Sequence, residues 1–65
     1  MDRDFIVTSI KSYEARRKAA GARAINAIND GSYLVALVAI TDAMKESACI
    51  EELEFQLEDM EVHHD

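Results

Sequence analysis

Two apolar stretches separated by one cluster of turn formers organise this chain of 65 residues. In the first stretch Ile6, Ile10 and Tyr13 recur at helical spacing. Ala20, Ala24, Ile25 and Ile28 carry the stripe onward, with Arg17 interrupting it. Between Ala15 and Ala27 most apolar positions are alanine, with Gly21 among them. Small side chains let two helix axes approach closely, so this segment is expected at a helix–helix seam. Gly21 costs about 1 kcal/mol relative to alanine inside a helix and marks an alternative break. The second stretch changes character along its length. Residues 33–44 are apolar around most of a helix, through Tyr33, Leu34, Leu37, Val38, Ile40 and Met44. A helix of that kind needs cover on several sides, which one partner helix cannot give. Residues 50–60 show a narrow seam, Ile50, Leu53, Leu57 and Met60, at coiled-coil spacing. The two patterns fall out of phase near Lys45–Ala48, which predicts a kink or a short third helix there.

The punctuation between the stretches is Asn29-Asp30-Gly31-Ser32. Gly31 suits the left-handed conformation that closes a helix, Ser32 suits the cap of the next, and Asp2 or Asp4 suits the cap of the first. The chain has no proline. The predicted architecture is all-α: one domain over residues 1–65, an antiparallel helical hairpin that self-associates into a helical bundle. A rival reading, with strands at 5–10 and 33–40, is opposed by Ala36 and Ala39 and by the lack of turn signals. Size argues for association. A core this small rarely supplies more than about 3–5 kcal/mol without reinforcement. Cys49 is the single cysteine, so no intrachain disulfide forms, and no Cys/His spacing resembles a zinc site.

Charge is segregated. Residues 1–32 carry six bases against four acids, and residues 33–65 carry Lys45 against nine acids, within a net charge of −6. That balance opposes the phosphate backbone of DNA, so a sequence-specific DNA reader is not expected. The start, Met1-Asp2-Arg3-Asp4, lacks the basic segment of a signal peptide, and the longest apolar run, Tyr33–Ile40, is far short of the roughly 20 residues that span a bilayer. With a lone thiol, this predicts a cytoplasmic protein without membrane attachment.

Several groups are candidates for chemistry, each with a plainer alternative. Tyr13, Arg16, Arg17, Lys18 and Arg23 offer guanidinium forks and an aromatic face suited to phosphates and bases. At 100° per residue Arg16 and Arg23 share a face while Arg17 and Lys18 point elsewhere. A phosphate pocket then needs a second copy, and the plainer reading is a solvated helix face. Glu51, Glu54, Glu58 and Glu61 line one face of the acidic tail, and Phe55 lies among them with Ala48 and Val62 at seven-residue intervals. A regular row of carboxylates imitates a nucleic-acid backbone and suits a basic host protein; the plainer reading is a solubilising face. Partner contacts are accordingly expected at Leu37, Ile40, Met44, Phe55, Glu58 and Val62. His63-His64-Asp65 is at most a weak metal site, and Cys49 is expected as a small core residue. No glycine-rich phosphate loop or catalytic constellation is present, so no enzyme activity, cofactor or metal is expected.

Tyr13-Glu14-Ala15-Arg16-Arg17-Lys18-Ala19, the turn Asp30-Gly31-Ser32 and Ala36-Leu37-Val38-Ala39-Ile40-Thr41-Asp42-Ala43 occur in that order between Tyr13 and about Leu53. This order resembles the small phage helical hairpins that sequester cyclic oligonucleotide signals of bacterial immunity, the anti-CBASS and anti-Thoeris sponge type. The resemblance implies a homo-oligomer with basic ligand pockets at subunit junctions, and it implies Tyr13, Arg16, Arg17, Lys18 and Arg23 as the pocket residues. The acidic tail and the shortness of the chain depart from that pattern.

Overall fold

The computed structural model describes residues 2–62, with the backbone but not the side chain of Val62; His63-His64-Asp65 lies outside the described residues. Helix α1 covers Arg3–Asn29 and α2 covers Tyr33–Val62. They pack along their length as a hairpin measuring 54 × 14 × 12 Å. Asp2 opens α1: its backbone is extended, its Oδ1 accepts from the Asp4 N–H at 3.3 Å, and its carbonyl accepts from the Ile6 N–H. The other end closes on Gly31, whose φ of +78° is costly for any residue bearing a Cβ. There the Ser32 N–H donates to the Ala27 carbonyl at 2.8 Å and the Gly31 N–H to the Ile28 carbonyl at 3.0 Å. This pair of bonds satisfies carbonyls that the helix end would leave unpaired. Ser32 then receives the Ala36 N–H on its own carbonyl, and α2 begins.

Among the described residues, the pairs Arg3–Glu61 at 3.5 Å, Arg17–Ser47 at 3.3 Å and Arg23–Asp42 at 3.4 Å hold one register from the open end to the turn. All are exposed. The two ion pairs are worth about 0–1 kcal/mol each and fix alignment more than stability. The buried groups lie between the helices. From α1 these are Ile6, Ala20, Ala24 and Ala27; from α2 they are Ala36, Ala39 and Ile50.

The structure corrects the expected kink or third helix at Lys45–Ala48, because α2 runs through without interruption. The physical reason is that the seam does not change phase. Ala36, Ala39, Ala43, Glu46, Ile50, Leu53, Leu57 and Met60 alternate steps of three and four, and every one is buried or partly buried. Weighting large aliphatics hides this, since near the turn the seam is made of alanine. The same effect displaces Ile25 and Ile28 from the α1 stripe. They are 61% and 47% exposed, while Ala24 and Ala27 take the inner positions. Gly21 does not break α1. Alanine against alanine brings the backbones together but removes little apolar area, so this half of the hairpin gains less from burial than a leucine seam would.

Candidate functional site

Large apolar side chains near the turn point away from the seam. Leu34 is 76% exposed, and Tyr33, Val35, Leu37, Val38, Ile40 and Met44 are also exposed. With Ile25 and Ile28 they surround the turn half of the hairpin. Fully burying a Val, Leu, Ile or Met side chain is worth roughly 1.5–3 kcal/mol, so the band holds an attraction comparable with the stability of a small domain. Such a continuous band is unusual on a chain that stays alone.

The basic segment of α1 sits at the open-end edge of this band, level with Asp42 and Ser47. Arg16 and Arg23, two turns apart, line a recess with Ala19, Ala20, Asp42 and Glu46. Arg16 stacks over Tyr13 with its guanidinium carbon 5.1 Å from the ring centroid. Arg23 pairs with Asp42. Glu46 Oε2 is buried and accepts no hydrogen bond. Arg17, at a seam position of α1, reaches across to Ser47 Oγ. Lys18 is exposed. One copy therefore brings Tyr13 and Arg16 together and places Arg16 beside Arg23, but leaves Arg17 and Lys18 on other faces. Asp42 and Glu46 share the recess and offset its positive charge. Reading α1 alone missed these two carboxylates, because their place beside Arg16 and Arg23 depends on the register set by the turn.

Farther from the turn, Glu51, Glu54 and Glu58 are exposed, and Glu61 is exposed while paired with Arg3. Phe55 is 71% exposed in this acidic stretch. Cys49, expected in the core, is a free and exposed thiol. The seam takes Ile50, and the preceding residue on a helix points about 100° away. Cys49 lines a shallow recess with Phe5, Ser9, Tyr13, Glu52 and Gln56. Among the described residues no cluster of three or more His, Cys, Asp or Glu is placed to hold a metal ion. Also among them, no helix is long and apolar enough to cross a membrane. No family model, curated protein sequence or solved structure matches this chain.

Proposed function

We propose that this chain is a non-enzymatic binding protein of the cytoplasm that works as a homo-oligomer and sequesters a phosphate-bearing ligand of the cyclic nucleotide class. The observation that carries the reading is the juxtaposition of the exposed apolar band with the basic segment at its edge. Neighbours that cover the band bring their own Arg16, Arg17, Lys18 and Arg23 to its edges, which supplies the second set of arginines that one copy lacks. Guanidinium groups from two copies then clamp phosphate oxygens by paired N–H donation. Nothing in this scheme turns the ligand over. The resemblance to phage anti-defence sponges points to the same class of ligand.

Thermal melting against a panel of cyclic and linear oligonucleotides tests this reading. The expected result is a rise in Tm that Arg16→Ala or Arg23→Ala removes, with the ligand mass retained in native mass spectrometry. A panel without any rise overturns it. A second reading rests on a different observation, the exposure of Phe55 among carboxylates. There the acidic face docks on a basic host protein, and capture is sensitive to salt, lost in Phe55→Ala and Glu58→Lys, and indifferent to the arginine variants.

A further inference from the structure

A groove on the apolar face runs over Gly21, with Ile40, Met44 and Ala48 as walls and Glu51 at its edge. Gly21 stands inside α1, where glycine is the least favourable residue short of proline. The hairpin itself does not require it. A Cβ at Gly21 would meet no atom within 4 Å, and its φ is not positive, in contrast to Gly31. The absent side chain instead opens the floor of the groove, on the face flanked by exposed Ile25, Leu37, Ile40 and Met44.

We propose that Gly21 floors a socket for Leu37 of a second copy, packed in the opposite direction across the turn half. This rests on the self-association proposed above and specifies its contact. Charge decides the direction. Residues 15–44 carry four bases and two acids, whereas residues 2–14 together with 45–62 carry three bases and ten acids. Copies running the same way set two acidic ends side by side; opposed copies send them to opposite ends of the assembly. Length decides the register. At 1.5 Å per residue the band from Tyr33 to Met44 is about 17 Å long. Gly21 lies about 12 Å from the end of α1 and Leu37 about 6 Å from the start of α2. Superposing two bands head to tail therefore sets Gly21 of one copy opposite Leu37 of the other, and the two-fold repeats the contact. The area a dimer needs is a modest share of the surface. A standard interface takes about 800 Å² from each partner. That is roughly a sixth of the 5002 Å² surface of this chain, and residues 25–44 make up about a third of its length.

The test joins two measurements on the full chain. In sedimentation equilibrium, Gly21→Leu is expected to keep its helical circular dichroism while its association weakens at least tenfold, because the new side chain fills the socket. In a Cys49→Ser background, chains carrying Gly21→Cys are mixed with chains carrying Leu37→Cys and oxidised. The mixed disulfide between positions 21 and 37 is expected to dominate over both like-with-like products. A statistical mixture of the three products overturns the socket even if Gly21→Leu fails to fold. Parent and Gly21→Leu associating equally tightly also overturns the socket and leaves self-association standing. A parent chain that stays at monomer mass at every concentration overturns both, and directs attention to a different protein as the occupant of the groove.

Discussion

The two halves of the hairpin put their large apolar residues on opposite sides. From residue 47 to the open end, Ile50, Leu53, Leu57 and Met60 turn inward and the carboxylates turn out, with Phe55, and Phe5 on α1, as exposed exceptions. Near the turn the arrangement inverts: alanines fill the seam, and leucine, valine, isoleucine and methionine face outward. Both halves are helical and both follow the same alternation of three and four. The difference teaches that the open half closes within one chain, while the turn half leaves its large apolar side chains uncovered.

Variants at seam positions separate the halves most strongly. Ile50→Ala is expected to cost about 2–5 kcal/mol by leaving a cavity in the open half, enough to melt so small a fold in urea followed by circular dichroism. Ala24→Leu or Ala39→Leu acts by the reverse mechanism, forcing apart backbones that alanine holds close. About 1–3 kcal/mol is expected, read from the same denaturation midpoint. If Ala24→Leu stabilises the hairpin, the turn half has room that the alanine seam denies it. Gly31→Ala is expected to cost about 1–2 kcal/mol, since φ of +78° strains a side chain, with no change in assembly. The smallest effect is Arg3→Ala, which removes an exposed pair with Glu61 and should shift stability by about 0–1 kcal/mol at low salt and by less in 1 M salt.

Much of this fold was legible because its punctuation is chemical. Asn29-Asp30-Gly31-Ser32 names the turn, since only glycine suits the left-handed position, and Ile50, Leu53, Leu57 and Met60 announce the open-half seam. A kink at Lys45–Ala48 follows only when large aliphatics alone define the seam, and α2 has no kink. Hydropathy ranks Leu37 above Ala36, yet proximity of backbones ranks alanine first, and a chain read one helix at a time does not show how close the second helix comes. The same effect takes Ile25 and Ile28 out of the α1 stripe, whereas Cys49 faces outward because the adjacent Ile50 holds the seam. The candidate site was legible in part. The shared face of Arg16 and Arg23 follows from their seven-residue spacing, but Asp42 and Glu46 join them only through the register of the hairpin. The outward band was anticipated from residues 33–44, because no single partner helix can cover every side of such a segment.

Sedimentation equilibrium of the unmodified chain beside Leu37→Glu tests the division of labour between the halves most directly. The account predicts a parent mass at least twice 7.3 kDa at micromolar concentration. It predicts a shift of Leu37→Glu toward the monomer with the helical signal retained in the associated parent. A parent that sediments as a monomer throughout, with a band that stays bare in water, would contradict it.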